Sequence, residues 1–287
     1  MPFPMHPPDV AIPPLRAIPE SMRPRTVAQV DARLDAIRAE YGVALPLAIE
    51  SGSRAWGYPS LDSDYDCRFV FVRPLDAYLT PWLARDVIET PIEGDLDVNG
   101  WDLGKALTLL LKGNAVILEW LTSPIVYRGD AAFRAEFLRL ADAVANRSAI
   151  GRHYLRLGER QKILAFSAGE DVPQKKIFYV VRPAAALRWL RHHPEAAVAP
   201  MNFAQLMQDC QPPVAVRTIC DDLLARKAAT RELGRAPLPP ELAAFIDNEF
   251  AWGRETFATT MVRISPEARA AAEDFFRRWV RRLDPMH

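Results

Sequence analysis

The chain has 287 residues, enough for one large domain or two ordinary ones. Its apolar fraction of 49%, charged fraction of 25% and formal net charge of zero fit a soluble globular protein with no general pull toward nucleic acid or anionic membrane. Three widely spaced cysteines and no apolar run near the roughly 18–20 residues of a bilayer span argue against a disulfide scaffold, a zinc knuckle or a membrane protein, and a cytoplasmic location is expected.

Residues 1–20 contain seven prolines and no apolar h-region, so they read as a flexible, surface-draped arm rather than a secretory signal. Thr26 can cap a helix whose apolar positions Val27, Val30, Leu34, Ile37 and Tyr41 recur at spacings of 3 and 4, with Gly42 as its stop. Residues 43–50 are apolar without helical period and read as a buried strand ending at Ser51-Gly52-Ser53. A second strand starts near Asp64 and runs through Cys67–Val72 to Pro74. Residues 92–99 suggest a third strand, with Asp95 and Asp97 two positions apart. Asp102 then caps a helix over 103–112, and Gly113-Asn114 separates it from a short helix over 115–121.

From about residue 130 the strand signals vanish. Helices are expected over 131–144, 147–166, 174–193 (with Pro183 as a kink), 203–209, 214–233 and 240–257, with a last one opening at Ser265-Pro266. The fold class expected is α+β. A small mixed sheet with helices over residues 21–128 is followed by an all-helical domain over 129–287, with clefts between two such lobes suited to small molecules.

The stretch Gly52-Ser53-Arg54-Ala55-Trp56-Gly57 … Ser63-Asp64-Tyr65-Asp66 carries the chemistry. Residues i and i+2 of a strand point to one face, so Asp64 and Asp66 present adjacent carboxylates whose repulsion calls for a cation or a proton. A hard divalent ion beside a small-residue turn that offers N–H groups to an anion suits phosphate chemistry. The plainer alternative is a polar Gly/Asp/Ser loop between strands.

This order of features resembles the DNA polymerase β-like nucleotidyltransferase superfamily: Gly-Ser, about ten residues, Asp-x-Asp, then a third carboxylate on a later strand. More closely, the chain looks like a group of bacterial and phage nucleotidyltransferases linked in part to RNA repair. The residues shared with that group are Gly52-Ser53-Arg54-Ala55-x-Gly57, Ser63-Asp64-x-Asp66-x-Arg68, Trp101-Asp102-Leu103-x-Lys105-Ala106-Leu107, Glu119-Trp120-Leu121-x-Ser123-Pro124-Ile125-Val126-Tyr127 and Lys175-Lys176 … Tyr179 … Arg182-Pro183. The likeness covers about residues 45–190.

The resemblance implies an α/β nucleotidyltransferase domain at 21–128 and a Mg²⁺-dependent enzyme that moves a nucleoside monophosphate from a nucleoside triphosphate, ATP by expectation, to an acceptor hydroxyl. Two Mg²⁺ ions would be held by Asp64, Asp66 and Asp97, which are also the catalytic set. Gly52, Ser53 and Arg54 would hold the triphosphate, joined by Lys175, Lys176 and Arg182 from the helical lobe. Asp95 competes with Asp97 for the third position. Arg68 can pair with the acids or with phosphate. Lys175, Lys176 and Arg182 can equally form a solvated basic face, and Arg277, Arg278, Arg281 and Arg282 on the last helix read as a solvated face in preference to an RNA groove, given the zero net charge. The acceptor is open between an RNA end, favoured by the likeness, a protein hydroxyl and a small molecule. The competing function is a non-catalytic nucleotide sensor or partner-binding module on the same fold.

Overall fold

The computed structural model describes residues 14–82, 84–166, 171–230, 233–259 and 263–284. Residues 1–13 of the expected arm lie outside them, but its remainder is not a loose tail. Pro14–Ala17 forms strand β1 at one edge of the main sheet, the place in a sheet that tolerates a proline. Helix α1 (Pro24–Tyr41) buries Val27, Val30, Leu34 and Ile37 and ends at Gly42 in the left-handed region, φ 60°.

Strands β2 (Ala44–Glu50), β3 (Tyr65–Val72), β4 (Val87–Glu89), β5 (Leu96–Asp102) and β6 (Val126–Asp130) complete a six-stranded sheet in the order β1-β6-β2-β3-β5-β4. Two sequence expectations change here. Strand β5 runs from Leu96 to Asp102 rather than over 92–99, because Asp95 still belongs to a tight turn in which Glu93 bridges Leu96. Strand β6 lies where no strand was expected; its few residues pair on both sides, with β1 and β2, and that pairing, not their local pattern, makes the strand.

Strand β3 alternates as its sequence dictates. Tyr65, Cys67, Phe69 and Phe71 enter the apolar layer beneath α1, whereas Val70 and Val72 enter the layer on the opposite face. Asp66 and Arg68 share that opposite face. It is covered by α3 (Leu103–Leu111) and α4 (Ala115–Thr122), and its apolar cluster continues into α5 (Ala131–Val144), α6 (Arg147–Phe166) and α7 (Gln174–His192). Helices α8 (Phe203–Cys210), α9 (Val214–Ala229), α10 (Pro240–Phe257) and α11 (Pro266–Arg282) extend the same cluster. A short ladder of β7 (Asp171–Pro173) and β8 (Arg235–Pro237) interrupts the region expected to be wholly helical.

Helix α7 passes through Pro183 without ending. Asp102 closes β5 and caps α3 by accepting from the Gly104 amide, as its position ahead of an apolar-periodic run implies. Cys67, Cys210 and Cys220 are free and buried. Among the described residues, no helix is long and apolar enough to cross a membrane.

Candidate active site

Strands β3 and β5 are parallel, and their register sets Asp66 directly beside Asp97. Two residues from different parts of the chain thus present carboxylates side by side on the face turned toward the helices. Asp64, just ahead of β3, is exposed at the same end of the strand. Asp95 goes elsewhere. Its carboxylate pairs with Arg23 ahead of α1 at 3.0 Å, so the i and i+2 rule for strands does not reach it.

The Gly-Ser turn is a single helical turn, α2 (Gly52–Trp56), pressed against this pair. Gly52 has φ 61°, and a methyl group on it would fall 2.0 Å from Asp66 Oδ2, so only glycine fits. Ser53 Oγ donates to Ser63 Oγ at 3.0 Å, and Ser63 Oγ accepts from the Ser60 amide at 2.8 Å. Arg54 donates to the carbonyls of Asp64 and Ser63 at 3.0 and 2.6 Å while its guanidinium lies 4.0 Å above the Tyr65 ring. Its role in the structure is to clasp the 60–64 loop onto α2, and it does not line the cleft.

Beneath the site, Glu50 is fully buried at the end of β2. Its Oε1 accepts from the Asp66 amide at 3.0 Å and its Oε2 from the Tyr127 hydroxyl at 2.5 Å. Burial lifts its pKa to about 7 against the opposing effect of those hydrogen bonds. Burial also raises the Asp66 pKa. Arg68 opposes the shift, and the neighbouring charges of Asp97 and Asp64 add to it.

A cleft of about 560 Å³ opens over these residues. One wall is Gly52, Ser53, Ser63, Asp64, Asp66 and Arg68. The other comes from the helices as Lys175 and Tyr179 of α7 and Lys227 of α9. Lys175 Nζ donates to Asp62 at 3.2 Å. The Tyr179 ring meets Trp56 edge-on at 6.0 Å, and the charges of Asp66 and Asp64 help burial to raise its pKa.

Lys227 has no counterpart in the sequence reading. It is 4% exposed, donates to the Tyr58 carbonyl at 2.5 Å and lies over the Tyr58 and Phe178 rings at 4.6 and 5.7 Å. Burial, reinforced by Lys175, lowers its pKa to about 8. A signal existed: Val216, Cys220, Leu223 and Lys227 are the buried positions of α9 at spacings of 4, 3 and 4, and a lysine on an apolar face wants a reason. Glu50 gave a similar one, as an acid closing a buried strand.

Besides Arg54, two more expected nucleotide contacts do not line the cleft. Lys176 is exposed beside it. Arg182 is buried in an ion pair with Glu119 at 2.9 Å, its guanidinium 4.8 Å from the Trp56 ring, whose Nε1 donates to the same Glu119. Arg277 and Arg278 pair with acids one turn away on α11, and Arg278 also reaches Glu136 of α5, which favours the solvated-face alternative for that helix.

The donor chemistry fits a hard divalent cation. Asp66, Asp97 and Asp64 offer carboxylate oxygens, and the charges of Asp97 and Asp64 raise the proton affinity of Asp66. Among the described residues, however, no group of three or more His, Cys, Asp or Glu side chains forms a ready metal cage.

A family model described as RlaP, the RNA repair pathway DNA polymerase beta family, matches residues 27–278. The chain belongs to this family. It is also 40% identical over 217 residues to the uncharacterized protein YcgL of Bacillus subtilis (strain 168), a match covering 75% of this chain and 82% of that protein. The RlaP match spans the Gly52-Ser53 turn, the paired strands and the helices that carry Lys175 and Lys227. Membership points to a polymerase β-like nucleotidyltransferase and accounts for the resemblance read from the Gly-Ser and Asp-x-Asp motifs.

Proposed function

We propose that the protein is a Mg²⁺-dependent nucleotidyltransferase that moves a nucleoside monophosphate, AMP from ATP in the simplest case, onto an acceptor hydroxyl. The observation that carries this reading is the parallel register of Asp66 and Asp97 beside Gly52. Asp66 and the close-approach glycine line one cleft, with Asp97 beside Asp66 on the next strand, in a chain of the RNA repair family.

Two Mg²⁺ ions, when bound, would supply charge that lowers the pKa of the attacking hydroxyl and steadies the departing pyrophosphate. Asp64, Asp66 and Asp97 would hold them. Asp97 stands on the strand farther from the Gly-Ser turn, so it would orient the acceptor hydroxyl. Ser53 and the backbone around Gly52 would receive the phosphate tail, with Lys175 and Lys227 closing on it from the helices as the cationic wall. Tyr179 and Trp56 offer apolar ring surface where a base can lie. Glu50 acts through Asp66, holding its amide in place.

The acceptor we favour is an RNA end, on the strength of the family's link to RNA repair. Purified protein would be incubated with α-labelled ATP, Mg²⁺ and RNAs bearing either a free or a blocked 3′ hydroxyl. Label joined to the free 3′ end alone supports the reading. Label entering protein instead moves the acceptor to a side-chain hydroxyl. No transfer to any RNA, protein or small-molecule hydroxyl, with nucleotide still bound, favours the sensor alternative.

A further inference from the structure

Arg68 stands between the two carboxylates. Its Nη2 lies 2.6 Å from Asp97 Oδ2 and 3.0 Å from Asp66 Oδ1. Its Nη1 donates to the carbonyls of Asp97 at 2.8 Å and Cys67 at 3.0 Å, so the guanidinium is tied to both strands of the parallel pair. The remaining oxygens are also engaged: Asp97 Oδ1 accepts from Asn99 at 3.2 Å, and Asp66 Oδ2 is packed against Gly52. Arg68 lines the cleft, whereas Asp97 does not. The approach to Asp97 from the cleft therefore passes this side chain.

Mg²⁺ takes oxygen ligands at about 2.0–2.1 Å in near-octahedral geometry, and a guanidinium donating to those same oxygens cannot share them. Two half-buried carboxylates side by side need a positive partner, and here the protein supplies its own. The arginine's long stem lets its head leave the acids along the cleft without moving either strand.

We infer that Arg68 is the resident counter-cation of the metal-free site and sets metal affinity by competing with the metal for Asp66 and Asp97. The inference rests on the carboxylate site proposed above. It has a definite sign. Removing Arg68 leaves two acids facing each other, so the metal-free protein loses stability and divalent cations bind more tightly. Were Arg68 a support that aims the acids at a metal, its removal would weaken binding instead.

Mn²⁺ binding to the full-length chain without nucleotide, followed by electron paramagnetic resonance, separates these outcomes. The variants are Arg68→Met, Arg68→Lys, Asp66→Asn and Arg23→Met, the last removing an equal charge from the neighbouring Asp95. Arg68→Met should bind Mn²⁺ about tenfold tighter than wild type, a modest share of the attraction between close charges. Its metal-free melting temperature should fall below that of wild type, with the gap closing as Mn²⁺ is added. Arg23→Met should match wild type, and Asp66→Asn should lose binding. Equal or weaker binding by Arg68→Met, with Asp66→Asn still inactive in binding, overturns the competition while leaving the metal site standing. Absence of Mn²⁺ binding in wild type and Arg68→Met alike overturns both. If Arg68→Met does not fold without metal, Arg68→Lys decides: its ammonium keeps the charge but has no second nitrogen to hold the Asp97 and Cys67 carbonyls, so it competes less firmly for the acids, and an affinity no higher than wild type overturns the inference.

Discussion

Lys227 of α9 donates to the backbone carbonyl of Tyr58 at 2.5 Å, joining positions 169 apart in sequence at the wall of the cleft. Its charge also lies over the faces of two aromatic rings, and the opposing charges of Asp62 and Lys175 act on it. Such a buried ammonium is costly unless an anion arrives to share the site.

Lys227→Met should therefore weaken binding of a nucleoside triphosphate by about tenfold while changing monophosphate binding little, since a charge-assisted contact is worth about 1.5–3 kcal/mol. Equilibrium dialysis with ATP and AMP checks this. A pH series adds a second reading. The folded pKa near 8 lies below the ordinary 10.5, so above pH 8 the unfolded chain holds the extra proton. Lys175 and Asp62 are the charged groups that act on it. Wild-type stability should rise relative to Lys227→Met between pH 8 and 10, and show no such relative change below pH 8.

Gly52→Ala should disable the site while leaving most of the fold intact. The new methyl would collide with Asp66 Oδ2 and require a left-handed backbone of an alanine, a strain of about 1–2 kcal/mol. Transfer activity should fall by about 100-fold, as expected for a displaced catalytic group. A variant with wild-type activity would show that Asp66 need not stay where Gly52 permits it.

Arg182→Met tests burial against nucleotide contact. The arginine and Glu119 are both about 5% exposed, and removing one partner strands the other charge. A loss of about 3–5 kcal/mol is expected from breaking such a pair. Denaturant titration measures it. Normal stability with a raised KM for ATP would instead return Arg182 to the nucleotide.

Glu50→Ala should destabilise the sheet by about 1–3 kcal/mol, because the Asp66 amide and the buried Tyr127 hydroxyl lose their shared acceptor. Tyr127→Phe, which removes only one of the two donors, should cost less in the same denaturant titration.

Much of this was readable from the chain itself. Helices α5, α6 and α10 fall where their apolar periodicity puts them, since an amphipathic pattern is local. The Gly-Ser turn and Asp-x-Asp likewise lie within one short segment. What escaped depends on pairing at a distance. The start of β5 is set by its ladder with β3, and that ladder, rather than spacing along the strand, separates Asp97 from Asp95. Pro14–Ala17 is ordered by a partner strand more than 100 residues on. Arg182 looked like a phosphate ligand because its acid, Glu119, sits on a different helix. Lys227 carries no motif at all.

In the function we propose, Asp97, placed by that ladder, completes a metal-dependent transfer site with Asp66. Mg²⁺-dependent label transfer from α-labelled ATP, measured side by side for Asp97→Asn and Asp95→Asn, tests it most directly. We expect Asp97→Asn to lose activity by about 100-fold or more, as when a group essential to the transition state is removed, and Asp95→Asn to transfer label like the wild type. Full activity in Asp97→Asn, or its loss in Asp95→Asn alone, would contradict the account.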